Sequence, residues 1–205
     1  GNDSLAVNSD VFGDSGNVSL IAESDIVISD SVQVSTGGTA TLDLLSHAGK
    51  LVLQGSGAVV GDSGDIRMQA QLDVELGGYA QTNAAVSVIS VAGSVLDGDQ
   101  DGGVDVLAND LRLDAHVGVG VLGAGVNSLE TTVTKLSARA GSGGVNVLES
   151  GELAIDDAGV TVRRVQSDAS TSDVVDHLQS DVVTRADTNG SVVLRTAGGN
   201  LVLND

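Results

Sequence analysis

The sequence predicts an all-β chain wound as a parallel β-solenoid, and three observations predict it. One phrase repeats: Gly102-Gly103-Val104-Asp105-Val106-Leu107-Ala108-Asn109-Asp110-Leu111-Arg112-Leu113 sets apolar-x-apolar, a polar break and apolar-x-apolar after a glycine-marked turn. That is the period-two signature of two short strands joined by a bend. The 205 residues are 41% hydrophobic but only 1% aromatic, with Phe12, Tyr79 and no Trp. Wide cores are normally filled by rings, so this core must be thin, as in a tube that stacks Val, Leu, Ile and Ala in layers. Finally, there is no proline and there are 28 glycines. Strands inside a continuous ladder need their N–H groups, and tight corners favour a residue that tolerates positive φ.

Residues 1–38 carry Leu5/Val7, Val11, Val18/Leu20, Ile26/Ile28 and Val32/Val34, read as two turns of short strands ending at Gly37-Gly38. Leu42/Leu44, Leu51/Leu53 and Val59/Val60 continue the phrase, followed by Ile66/Met68, Leu72/Val74/Leu76 and Val86/Val88. The starts at Val18, Leu42 and Ile66 are about 24 residues apart, within the range of one solenoid repeat. Later starts at Val104, Val145 and Val192 are wider, so each interval is expected to hold a second turn, for roughly nine turns in all at ~4.8 Å each. Leu129/Thr131/Val133, Leu136/Ala138/Ala140, Val160/Val162 and Leu201/Leu203 complete the series.

Residues 168–187 break it. Val174, Val175, Leu178, Val182 and Val183 approach helical spacing behind the cap residue Ser172, with Asp173 and Asp176 in the first turn and Arg185 near the end. A short helix or an ordered loop is expected to bulge from the tube there. Otherwise residues 1–205 read as a single solenoid segment, part of a longer tandem-repeat protein or a subunit that stacks end to end.

The charge narrows function. Twenty-eight acidic residues against nine basic ones give −19, with Lys50 and Lys135 the only lysines. Nucleic acid and anionic membranes need cations to neutralise them, so neither is an expected partner. No stretch of about 20 apolar residues is present to insert in a membrane. With no cysteine there is neither disulfide nor thiol chemistry.

For metal binding the candidates are Asp97, Asp99 and Asp101, in Asp97-Gly98-Asp99-Gln100-Asp101-Gly102. Alternating carboxylates ahead of a glycine resemble the first half of a calcium loop, in which hard oxygens converge on one cation. The twelfth loop position is Ala108 rather than a glutamate, so Asp105 or Asp110 from the following strand would have to complete the set. A plain Asp/Gly turn explains the same residues. His47, His116 and His177 have no partner at ligand spacing. Asp156-Asp157 and Asp173/Asp176 could pair as glycosidase or lyase acids, but Arg163-Arg164 is the only basic pair to support them. No catalytic residue is assigned.

The phrases GNVSLIAESDIVI, AAVSVISVAGSVLDGDQDGGVDVLANDLRLDA, NSLETTVTKLSARAGSGGVNVLESGELAI and GSVVLRTAGGNLVLND resemble repeats of very large secreted bacterial surface proteins of the filamentous-haemagglutinin-like, adhesin-like kind. The resemblance implies a right-handed parallel β-helix, an extracellular or cell-surface location, and a non-catalytic rod in adhesion, matrix or cell–cell contact. Neighbouring repeats, identical subunits, a surface glycan or a receptor would be its partners. A β-helical carbohydrate-active enzyme is the alternative.

Overall fold

A computed structural model describes residues 3–186 and 189–204. Every strand pairing is parallel except in one hairpin, and among the described residues there is no helix. The chain winds a β-solenoid of about 6 turns, followed by a turn that the hairpin interrupts and a last exposed rung.

Three ladders run along the tube. The first stacks Leu5–Val7, Ile26–Ile28, Leu51–Leu53, Val74–Leu76, Val95–Asp97 and Gly118–Val119. The second stacks Val11–Phe12, Gln33–Ser35, Ala58–Val60 and Tyr79–Gln81. The third stacks Val18–Ala22, Leu42–Ser46, Ile66–Ala70 and Ala85–Ser90. Beyond these rungs single strands turn the corner. Val106–Ala115 pairs through Val106 with Ala80 in the second ladder and through Leu111 with Val86 in the third. Leu129–Ala140 does the same one turn later. In these two turns the phrase is thus one bent strand serving two ladders, whereas in the earlier turns the strands of the second and third ladders are separate.

The apolar alternation explains the interior. Ile26, Leu51, Val74, Val95, Val119 and Val145 form one inward column, each with no solvent exposure. Leu42, Ile66, Val86, Leu111 and Leu136 form another, also fully buried. Like sits on like, which is why aromatics are not needed. Where the chain turns, backbones of successive rungs nearly touch: a Cβ on Gly78 would overlap the Gly57 carbonyl in the rung below.

Corners interrupt the backbone ladder, and acidic side chains fill the gaps. The Asp10 carboxylate accepts from Gln33 N at 2.9 Å, Asp25 from Lys50 N at 2.9 Å, and Asp30 from Ser56 N at 2.9 Å. Asp73 accepts from Ser94 N at 2.9 Å, and Asp105 from Glu130 N at 2.8 Å. Each holds an N–H of the next rung. Part of the acidity is therefore structural, because a carboxylate accepts a backbone N–H more strongly than a neutral group.

Two expectations are corrected. Turns number about 6 rather than about nine, because successive third-ladder starts at Val18, Leu42, Ile66, Val86, Leu111 and Leu136 are 24, 24, 20, 25 and 25 residues apart. The wide later intervals arise from Val104 lying outside any strand, and from Val145 and Val192 belonging to the first ladder. Nor is there a helix in residues 168–186. Thr171–Gln179 pairs antiparallel with Ala158–Val165, so Val160 and Val162 belong to this hairpin and not to the tube. Paired valines favour the pleated state over the helix. Residue 187 lies outside the described residues.

Candidate functional site

Two features stand out from the repeat, a hairpin strapped along the third ladder and an acidic corner between the first two. The strap is inserted within one rung: Leu136 pairs with Ile155 before it and Ala138 with Val182 after it, so it leaves from and returns to the same neighbouring strand. From there it runs back along the tube axis. Gln179 Nε2 donates to Leu113 O at 2.9 Å, Thr161 N to Asp65 Oδ2 at 2.9 Å, Arg163 N to Thr41 Oγ1 at 2.8 Å, and Val165 N to Ser19 Oγ at 2.9 Å. Side chains on successive turns thus do for the Ala158–Val165 edge what a neighbouring strand would do.

Beneath the strap lies a column of outward-pointing polar residues, Ser19, Asp43, Arg67, Ser87, Arg112 and Ser137, stacked in register. All but the first are buried. Asp43, with no exposure, accepts from Arg67 Nη1 at 3.3 Å and from Arg164 Nε at 2.6 Å, and Arg67 Nε donates to Asp176 at 3.1 Å. Val160 and Val162 close the seam against Ala85.

These pairings settle where the sequence-flagged acids and bases stand. Asp176 is tied to Arg67, while Asp173 faces solvent beside Arg163 at 3.9 Å. Arg163 and Arg164 point to opposite sides of the hairpin. Asp156 accepts from Asp157 N at 2.8 Å and from Asn204, and these hydrogen bonds hold its carboxyl below the usual range. His47, His116 and His177 are exposed.

The acidic corner holds Asp97, Asp99 and Asp101 on one loop. Asp97 Oδ1 accepts from Asp99 N and Gln100 N at 3.0 Å each, Asp99 Oδ1 from Asp101 N at 3.2 Å, and Asp101 from Gly103 N. Gln100 and Gly102 carry the positive φ values, 60° and 76°, that wind this loop. One oxygen of each aspartate is therefore engaged with the loop backbone. Among the described residues, no three His, Cys, Asp or Glu side chains meet as they stand in an arrangement that could hold a metal ion.

Two further acids join the corner. Asp105, which the sequence offered as a completing residue, is buried beside Glu130, which it did not. Glu130 lies 25 residues after Asp105, one turn on, and Asp105 N donates to Glu130 O at 2.9 Å. Adding one repeat length to Asp105 is the signal that would have found it. Burial pushes the Asp105 carboxyl up to about 9, helped by the charges of Asp97 and Glu130. Burial also raises Glu130, against a hydrogen bond from Ser128 and the charge of Arg195. Asp99, though exposed, is raised by partial desolvation at the loop and by side-chain contact with Asp97. A cavity of about 210 Å³ lined by Asp99, Asp101, Asp105 and Tyr79 opens beside them.

In the last rungs of the tube, Val192–Thr196 and Leu201–Leu203 pair on one edge only among the described residues. Val192, Leu201 and Leu203 are 44%, 43% and 75% exposed.

The chain matches no family model, no curated protein and no solved structure. The class is set by the coordinates alone: a parallel β-solenoid with an axial hairpin strap.

Proposed function

We propose that the chain is a non-catalytic rod segment of an extracellular or cell-surface protein of the adhesin-like or matrix kind. One observation carries the reading: parallel strands stack in register on one continuous aliphatic core through about 6 turns, an architecture that makes a stiff rod. Stacks of this kind grow by adding like rungs, each touching only its neighbours. The partner in that role is another repeat or a second copy stacked end to end, and the charge of −19 keeps rods from associating side by side. A surface glycan or receptor would be met along the rod. On the strapped face Asp43, Arg67 and Arg164 are ion-paired under the hairpin, an arrangement that favours scaffold over glycan cleavage.

Electron microscopy with sedimentation tests this. Expected are rods whose mass rises with concentration, and loss of that rise on Leu203→Lys. Compact particles of fixed mass, or cleavage of an acidic polysaccharide, would overturn the reading, the latter in favour of the carbohydrate-active alternative.

A further inference from the structure

Among the described residues, only two buried carboxylate oxygens lack any hydrogen-bond partner, and both lie at the acidic corner: Asp97 Oδ2 and Glu130 Oε2. Asp97 is 7% exposed and Glu130 9%. Leaving such a carboxylate oxygen buried and unpaired costs free energy, and the other buried carboxylates among the described residues avoid it. Asp43 has two arginines. Glu149 accepts from Thr131 Oγ1, Val133 N and Gly151 N. Among the described residues the corner has no equivalent ion pair: Arg195, whose charge reaches Glu130, donates instead to Ser128 Oγ at 3.0 Å.

We propose that Asp97, Asp99, Asp105 and Glu130 bind one hard divalent cation, calcium, at the corner between the first and second ladders. Asp97 is the hub, within electrostatic reach of Asp99, Asp105 and Glu130. The loop hydrogen bonds occupy Oδ1 of Asp97 and Asp99 and leave the second oxygen of each for the ion. Asp99 is exposed and stands on the cavity wall, so it closes on the ion by side-chain rotation while water from the cavity fills the remaining positions. Calcium takes six to eight oxygens in adaptable geometry, whereas magnesium demands a compact octahedron. Donors drawn from a loop and two successive rungs suit the larger ion. The ion would fasten Val95–Asp97 to Val106–Ala115 and Leu129–Ala140, a role independent of whether the chain is a rod.

The chain's single tyrosine, Tyr79, lines the same cavity, and there is no tryptophan. Tyrosine-sensitised terbium luminescence therefore reports this corner. Expected are saturable emission at one terbium per chain and its displacement by calcium chloride. Glu130→Gln and Asp105→Asn are expected to weaken binding roughly tenfold to a hundredfold, with Asp157→Asn as an unaffected control. Tyr79→Phe is expected to abolish emission. Circular dichroism in EDTA checks that each variant is folded. In the wild type, calcium at constant ionic strength raises the melting temperature. No saturable emission, equal emission in the Glu130 and Asp105 variants, or no melting shift at millimolar calcium overturns the site.

Discussion

The third ladder is held from both faces, by the aliphatic column inside and by the polar seam under the strap outside. Inside, Leu42, Ile66, Val86, Leu111 and Leu136 are interchangeable members of one stack, and each supports only its neighbours. Outside, Asp43 depends on Arg67 and Arg164, whose backbones come from the next turn and from a segment 121 residues away. The inside is additive and forgiving; the seam is specific and concentrated. A buried charge matched by two guanidinium groups becomes a liability once a partner is lost, whereas a trimmed methyl in a stack costs only its own burial and a small void.

The sharpest way to break the seam is Arg67→Ala, which takes the arginine from Asp176 and leaves buried Asp43 with Arg164 alone, and is expected to cost about 3–5 kcal/mol by denaturant melting. The acidic corner offers the opposite case, buried acids with no arginine ion pair among the described residues. The Asp105 carboxyl is raised from 3.8 to about 9 in the fold, so the folded state holds a proton that the unfolded chain releases. Its contribution is full below about 3.8 and is lost as pH rises toward about 9. In EDTA, the melting temperature is expected to fall over that range, and Asp105→Asn to flatten the fall. Arg164→Ala, removing one of the two partners of Asp43, is expected to cost about 1.5–3 kcal/mol. Within the stack, Ile26→Val and Ile66→Val are each expected to cost about 1 kcal/mol and to add when combined. Arg163→Ala, one residue from Arg164 but facing solvent, is expected to change stability by less than about 0.5 kcal/mol.

The interior was legible in the sequence because its rule is local. The phrase starts at Val18, Leu42 and Ile66 are the residues that stack in register. The corner was half legible: Asp97, Asp99, Asp101 and Asp105 crowd one stretch, but Glu130 joins only through the winding of the tube. The strap was not legible as a hairpin. Val174, Val175 and Leu178 lie at spacings that suit either a helix or a twisted strand, and what decides is the row of acceptors Ser19, Thr41 and Asp65, 96 to 146 residues away. Those acceptors look like ordinary surface residues until the tube brings them into line.

Native-state hydrogen exchange of the Thr161, Arg163 and Val165 amides is the most direct measurement of this arrangement. If side chains on successive turns replace a neighbouring strand, these amides are protected as strongly as those of Ile66 and Val86, and Ser19→Ala releases Val165 first. Exchange at the rate of a free loop, with Ile66 and Val86 still protected, would contradict the strapped tube.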